Sequence, residues 1–378
     1  MESILDGSNG ICPQAGMVLG CLSGTEKTAD CRGAGVSRQI EFSVIIPVCH
    51  GGKFLKEVLT SLAGIDYSQG LFEVIVAGSE EDEESRNMVR SLSAERGLNV
   101  RYIGCFCSNR SKRLNTACAA AKGKVFAFTD DDCILPMDWL KKLSSVFERG
   151  DDIGIMGGMD ELAGALTAFD ISLDRTLHSF IGAGAVRSNK FFAGRFYPKL
   201  WNMALTREVA FKTALNFEGG RPHIFNEALD IHEDVELSDR IERLGGTIVS
   251  VPELRVLHYR DTTLRSFVIN NFIMARTCRT IGIHRLAHTI SSALVIFLSA
   301  SVVLSFFLLP FRLLVLGALA LYFLLLTGVA LSAFFKTRKL LILVLVPVLI
   351  SSLHIARGTG YLFPLHGGAL SGKAGYEK

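Results

Sequence analysis

Three consecutive carboxylates, Asp130, Asp131 and Asp132, follow directly on the apolar run Val125-Phe126-Ala127-Phe128-Thr129. Side chains alternate along an extended chain, so Asp130 and Asp132 are expected to point to one side and Asp131 to the other. Like charges this close repel unless a cation lies among them. Mg²⁺ or Mn²⁺ carrying a bound polyphosphate would supply that charge, because these ions favour one or two carboxylates completed by phosphate oxygens. An acidic turn in water is the other explanation of the triplet. A second acidic pair, Glu233-Asp234, precedes Leu237, Ile241 and Leu244, which recur at helical spacing. That spacing leaves the pair at a helix N-terminus, beside free backbone N–H groups that fix a carboxylate in direction. Taken in isolation, the pair is better explained by ordinary helix capping with acidic residues than by catalysis. His258 is expected to be a hydrogen-bonded structural residue, the common fate of a single histidine.

The elements that must position these groups follow a βα rhythm. Phe42-Ser43-Val44-Ile45-Ile46-Pro47-Val48 predicts a buried strand, and Phe54, Leu55, Val58, Leu59 and Leu62 a helix behind it. A strand at Phe72-Glu73-Val74-Ile75-Val76, an acidic helix start at residues 80–84, a strand at 100–103 and a helix at 110–121 lead to the run that ends in the triplet. Such alternation predicts a mostly parallel α/β sheet covered on both faces, with ligands collecting where strands end. Asp138 is a candidate N-cap for a helix through Trp139, Leu140, Leu143, Val146 and Phe147, and residues 153–156 form a further strand. Residues 160–200 have no clean period, and their aromatics, among them Phe180, Phe191, Phe192, Phe196 and Tyr197, face substrate or pack in a core. A last strand at 247–251 is expected to stop at Pro252.

The 40 Lys and Arg against 37 Asp and Glu leave no basic surplus, so no nucleic-acid partner is implied. The 49% hydrophobic share is high for a soluble enzyme, and the excess lies after His288. Residues 290–309 and 313–335 carry no charge in positions that a membrane would cover, and each is long enough to cross about 30 Å of hydrocarbon. Residues 340–356 form a third, shorter candidate that spans, tilts or lies at the interface. With three spans, Lys336, Arg338 and Lys339 put the loop before the third in the cytoplasm, and the large domain with it. Residues 264–283 mix Phe267, Phe272, Ile273 and Met274 with Arg265, Arg276 and Arg279, the pattern of an interfacial helix or of an amphipathic helix packed on the domain. Nine cysteines without C-x-x-C spacing indicate neither a zinc site nor a disulfide framework, and reduced thiols are expected.

In this order and setting the motifs resemble the family 2 glycosyltransferases, specifically their membrane-anchored bacterial type, over about residues 42–282. The resemblance implies the GT-A fold, a Rossmann-like mostly parallel sheet, here followed by C-terminal transmembrane helices. It implies that Pro47 and Val48 end the strand that contacts the nucleotide base, and that Lys112-Arg113-Leu114-Asn115 brings Arg113 and Asn115 near the donor. Asp130, with Asp131 beside it, would meet the ribose or diphosphate and Asp132 the Mn²⁺ or Mg²⁺, as in a D-x-D motif. Trp201-Asn202 would lie on the acceptor side, Asp234 would be the general base, and Glu233 would support the site. Where family members have an Asp after the second strand, this chain reads Val76-Ala77-Gly78-Ser79-Glu80, with Glu80 or Glu81 as substitutes. No Trp follows Trp201, so the Gln-x-x-Arg-Trp helix of processive members is absent.

The expected organisation is a disordered arm at 1–40, a GT-A domain at 41–262, an amphipathic interfacial helix at 263–285, a transmembrane region at 286–357 and a tail at 358–378. The expected protein is a multi-pass enzyme of the inner (cytoplasmic) membrane with its catalytic domain in the cytoplasm. It would move a sugar from a nucleotide-sugar donor, with inversion, to a hydroxyl of a lipid-linked or cell-envelope glycan acceptor. Transfer to a polyprenyl phosphate, which needs no base, is one alternative, and a non-catalytic membrane partner that binds nucleotide sugars is another. No intramembrane acidic residue favours a transporter, and no G-x-x-x-x-G-K-[ST] favours a P-loop hydrolase.

Overall fold

The computed structural model describes residues 40–48, 52–107, 109–150, 153–164, 166–183, 195–229 and 231–364. The expected arm at 1–40, except its last residue, lies outside these, as do Phe191, Phe192 and the tail beyond residue 364. In chain order the elements begin with β1 (Phe42–Pro47), α1 (Leu55–Ala63), β2 (Phe72–Ser79), α2 (Glu83–Arg96), β3 (Val100–Cys105), α3 (Arg110–Ala120), β4 (Val125–Phe128) and β5 (Cys133–Ile134). They continue with α4 (Trp139–Phe147), β6 (Ile153–Leu162), α5 (Ala168–His178), α6 (Phe180–Ala183), a 3₁₀ turn at Leu200–Asn202, β7 (Met203–Thr206), α7 (Arg207–Lys212), β8 (Asn216–Glu218) and β9 (Arg221–His223). The last are α8 (Glu233–Arg243), β10 (Thr247–His258), α9 (Leu264–Thr280), α10 (Leu286–Ser305), α11 (Leu309–Thr337) and α12 (Ile342–Leu362).

Eight strands form one sheet in the order β3-β2-β1-β4-β7-β6-β10-β5. The β1–β2, β2–β3, β1–β4 and β6–β10 pairs are parallel, while β7 and β5 join antiparallel. Alternation in β1 divides the core: Val44 and Ile46 pack with Leu55, Leu59 and Trp139 on one face, and Ile45 packs with Leu114, Phe128, Leu237 and Ile241 on the other. Both faces are covered, as continuous apolar strands require.

Two expectations are corrected in β10 and at the cysteines. The strand does not stop at Pro252 but runs on to His258, and its register with β6 breaks between Ser250 and Arg255. A bulge tolerates the missing proline N–H, so the residue bends the strand instead of ending it. Cys105 and Cys107 are joined as a disulfide with Cα atoms 5.3 Å apart, because the chain folds back at Phe106 after β3. Cys118, Cys133 and Cys278 are free and buried.

Among the described residues, α10, α11 and α12 are long and apolar enough to cross a membrane. Helices α10 and α11 form a hairpin whose distal half exposes Phe297, Val303, Phe306, Phe307, Leu313 and Leu316. Helix α12 is used differently. Its Leu349 and Leu353 pack with Leu173 and Phe267, its Ile342 and Val346 pack beside Ile171 and Ile181, and Gly360 meets the Phe272 carbonyl of α9. The helix at 264–280 is therefore packed on this apolar layer along one side.

Candidate active site

The acidic triplet hangs between two strands. After Phe128 the chain turns, the Thr129 hydroxyl donates to the Trp201 carbonyl at 3.2 Å, and Cys133 pairs with His258 at the end of β10. That register brings His258 Nε2 to 3.2 Å from Asp132 Oδ1, while Nδ1 lies 3.5 Å from Asp160 Oδ2. Asp160 is itself held by Arg260. Burial alone would lower the imidazole's pKa, but the Asp132 and Asp160 carboxylates outweigh it and push His258 up to about 9.

Asp132, Cys133 and His258 offer ligand atoms within 4.8 Å of one another. Cys133 is fully buried, and burial together with Asp132 and Asp130 pushes its thiol well up, so it stays a thiol. A carboxylate oxygen and an imidazole nitrogen remain, with a second carboxylate behind the ring that orients it. Once the cation displaces the imidazole proton, this set fits Mn²⁺ completed by phosphate oxygens.

The second acidic group is set by backbone conformation. His232, buried and at φ 67°, turns the chain through the left-handed region immediately before α8, so that Glu233 and Asp234 open the helix. Arg110, in the first turn of α3, joins the two acidic groups: it is ion-paired to Asp130 and lies 3.3 Å from Glu233 Oε1 through Nε. Asp130 and Glu233 therefore converge on one guanidinium. Burial pushes Asp130 above the usual carboxylate range against the pull of Arg110, and burial with the neighbouring Asp234 pushes Glu233 up to about 7. Asp234 is held from the other side, its two oxygens 3.3 and 3.1 Å from Lys199 Nζ, and Oδ1 also accepts the Val235 N–H at 2.7 Å.

The remaining predicted residues divide. Pro47 and Val48 lie at the C-terminal end of β1, where the Val48 carbonyl accepts from Arg113 Nη1 at 2.6 Å. Arg113 also donates to the Cys107 carbonyl, so it ties the ends of two strands together and is 7% exposed. Asn115 exchanges hydrogen bonds with the Phe225 backbone at 2.9 and 2.8 Å, and its amide reaches Glu227 at 3.0 Å. Asn202 is fully buried and clamps Trp139 Nε1, the Met159 carbonyl and the Leu254 carbonyl. Both asparagines thus brace loops and strands and do not face the cleft, whereas Trp201 lies with its ring 5.7 Å from that of His258. Asp131 is half-buried in the turn, and Glu80 is tied to Arg86 at 3.1 Å. Arg110 and Lys199, which sequence reasoning did not single out, and His258, which it read as structural, reach the carboxylates from three different segments.

A cavity of about 580 Å³ opens beside Asp132, His258 and Trp201 and continues to Arg285, His288 and Arg357 at the helices. The Asp132–His258 pair and the apolar helices thus border one open space.

A family model described as Glycosyltransferase like family 2 matches residues 39–277. Poly(ribitol-phosphate) beta-N-acetylglucosaminyltransferase TarS of Staphylococcus aureus (strain Mu50) is 27% identical over 110 residues, covering 29% of this chain and 19% of TarS. Succinoglycan biosynthesis protein ExoM of Rhizobium meliloti (strain 1021) is 33% identical over 104 residues, covering 27% of this chain and 34% of ExoM. The chain thus spans about a fifth and a third of the lengths of these relatives. Among solved structures, mannosyltransferase PcManGT from Pyrobaculum calidifontis in complex with GDP-Man and Mn²⁺ has a TM-score of 0.58 at 15% identity over 86% of this chain and 88% of that one, a likeness of fold.

Proposed function

The chain belongs to glycosyltransferase family 2, and from that premise we propose that it transfers a sugar, with inversion, from a nucleotide-sugar donor to a hydroxyl of a membrane-associated acceptor. It is a glycosyltransferase of GT-A fold. The observation that supports the finer reading is Arg110, which joins Asp130 to Glu233 and so draws both acidic groups to one guanidinium. Asp132, two residues on from Asp130, lines a cavity that reaches the apolar helices.

In this reading Asp132 and His258 would hold Mn²⁺ or Mg²⁺, and Asp130 with Asp131 would face the donor near the ends of β1 and β4. The bound ion would offset negative charge on the departing nucleoside diphosphate. Asp234 accepts the proton of the acceptor hydroxyl as that oxygen bonds to the anomeric carbon. The bond from that carbon to the diphosphate oxygen breaks, and its electron pair leaves on the diphosphate. Lys199 orients the base, Glu233 and Arg110 support it, and Trp201 borders the acceptor. Anchoring is assigned to the α10–α11 hairpin, with the domain on the cytoplasmic side because Lys336, Arg338 and Lys339 follow α11.

Turnover of a nucleotide-sugar panel by membranes containing the protein, with and without Mn²⁺, tests this. Asp234→Asn is expected to keep donor binding and lose about 10²- to 10⁴-fold in turnover, the usual contribution of a placed base. Asp132→Ala is expected to weaken Mn²⁺-dependent donor binding. Unaltered turnover in the first variant, or unaltered metal dependence in the second, rejects the role assigned.

A further inference from the structure

The edge of the sheet at which Pro47 and Val48 end β1 also carries a pair of cysteines. Cys105 closes β3, Cys107 follows the 89% exposed Phe106, and the two sulfurs are joined. Both cysteines are half-buried, whereas Cys118, Cys133 and Cys278 are at most 1% exposed, and burial before all else raises their thiols above the usual range. A thiol sealed from solvent and kept protonated does not exchange. Among the described residues, Cys105 and Cys107 are therefore the cysteines open to thiol–disulfide exchange. A bridge across so short a loop removes little freedom from the unfolded chain and so adds little to stability. On the cytoplasmic side, to which the sheet domain is assigned, the disulfides that form are mostly transient. A staple for the fold is thus a poor explanation of the pair.

Hydrogen bonds tie the pair to its surroundings. The Cys107 carbonyl accepts from Nε and Nη2 of Arg113 at 3.2 and 3.1 Å, and Nη1 of the same guanidinium donates to the Val48 carbonyl at 2.6 Å. The Cys105 carbonyl accepts the Glu80 N–H at 3.2 Å and so holds the chain where β2 ends. Beyond Cys107, Asn109 caps α3, its Oδ1 accepting the Lys112 N–H at 2.9 Å, and Arg110 follows, the residue that joins Asp130 to Glu233. The bridge therefore fixes the stretch between β3 and α3 against which Arg113 and Arg110 are set. With the sulfurs parted, the backbone at Phe106 and Cys107 regains freedom that the bridge had removed, and the Cys107 carbonyl is no longer confined to one place beneath Arg113.

We propose that Cys105 and Cys107 are a reversible oxidation site that tunes donor affinity: the bridged form holds Val48 and Arg113 in the arrangement that takes the nucleotide, and the dithiol form loosens it. The proposal rests on the transferase reading and adds a regulation of its donor site. Closure of the bridge needs an oxidant, and a small-molecule disulfide such as oxidised glutathione supplies it. One cysteine thiolate attacks that disulfide, which forms a mixed disulfide and releases one small thiolate. The other cysteine thiolate then attacks the protein sulfur of the mixed disulfide, forms the Cys105–Cys107 bond and releases the second small thiolate. The two cysteines lose two electrons, the external disulfide gains them, and the two protons given up by the cysteines end on the released thiols.

Redox titration of the full chain in detergent micelles tests the proposal. The chain is equilibrated over a series of reduced-to-oxidised glutathione ratios, alkylated and cut with trypsin. Cleavage after Arg101 and Arg110 releases residues 102–110, which contain Cys105 and Cys107 and no other cysteine, so one peptide reports the state of the pair. That peptide is expected to pass reversibly from doubly alkylated to bridged along the series. UDP, GDP, CDP and ADP are then titrated in the presence of Mn²⁺ at both ends of the series. The diphosphate that binds should bind about 2- to 10-fold tighter to the bridged chain, the size expected from one or two side chains ordered in advance. Cys105→Ser combined with Cys107→Ser should bind as the dithiol form does in both buffers. A peptide that stays in one state throughout, a bridge from either cysteine to a third, or a response that survives in the double variant overturns the site. The unaltered chain decides the matter even if the double variant fails to fold. Diphosphate binding that is equal in the two states, or tighter in the dithiol form, refutes the regulation and leaves the transfer reading standing. A reversible bridge with no diphosphate bound in either state refutes the donor site, and the regulation falls with it.

Discussion

Glu233 illustrates what a buried carboxyl costs at this site. Its pKa is raised from 4.5 to about 7 by burial and by Asp234, even with Arg110 beside it. A group raised in the folded state contributes its stability fully below its unfolded pKa and loses it as pH climbs through the folded value. Glu233→Gln removes that titration. Thermal unfolding across pH 5 to 8 is therefore expected to show the variant gaining on the unaltered chain as pH rises, and a constant difference would contradict the assignment. The acidic residues were legible because they are adjacent in sequence and follow strand and helix patterns. Their counter-charges were not: Arg110, Lys199 and His258 resemble ordinary cations until the fold brings three segments to one point. Asn115 and Asn202 show the opposite ambiguity, since an amide suited to a ligand is equally suited to bracing buried backbone carbonyls.

Elements were legible where periodicity is strong, as in β1, β2, β4 and α8, and less so where two elements shape each other. Pro252 looked like a stop, yet pairing with β6 carries β10 through a bulge and delivers His258 to Asp132. The helices after residue 262 were legible by hydropathy, but their partners were not, because apolar faces look alike whether lipid or protein covers them. Glycines mark the difference. A Cβ on Gly360 would come within 2.3 Å of the Phe272 carbonyl, whereas Gly328 in α11 has nothing within 4 Å. Gly360→Ala is therefore expected to lower stability by about 1–3 kcal/mol through overpacking. Gly328→Ala should leave it unchanged or raise it by about 0.5–1 kcal/mol through helix propensity. Thermal unfolding in detergent compares the two, and equal effects would argue against tight α9–α12 packing.

Across the whole molecule, the sheet domain and the hydrophobic helices are joined through α5, α9 and α12. Lys339, between α11 and α12, donates to the Leu166 carbonyl at 3.0 Å, and Tyr361 near the end of α12 hydrogen-bonds His284 just before α10. Both ends of α12 thus lie on the side of the sheet domain. Three crossings, the expectation from hydropathy, would send the end of α12 to the opposite side of the bilayer, whereas this packing predicts that it shares a side with the sheet domain. Reporter fusions or membrane-impermeant cysteine labelling at Ser305 and at Pro364 check this: opposite sides are expected for the two positions, and a label at Pro364 facing away from the domain would reject it.

The same arrangement bears on how the protein can be handled. Cutting the chain just before Leu286, the obvious way to obtain a water-soluble catalytic fragment, would strip the cover from Leu173 and Phe267, which are 2% and 4% exposed in the full chain. The final helix acts as a built-in substitute for detergent, and a shortened version would have to retain it or replace those residues with polar ones.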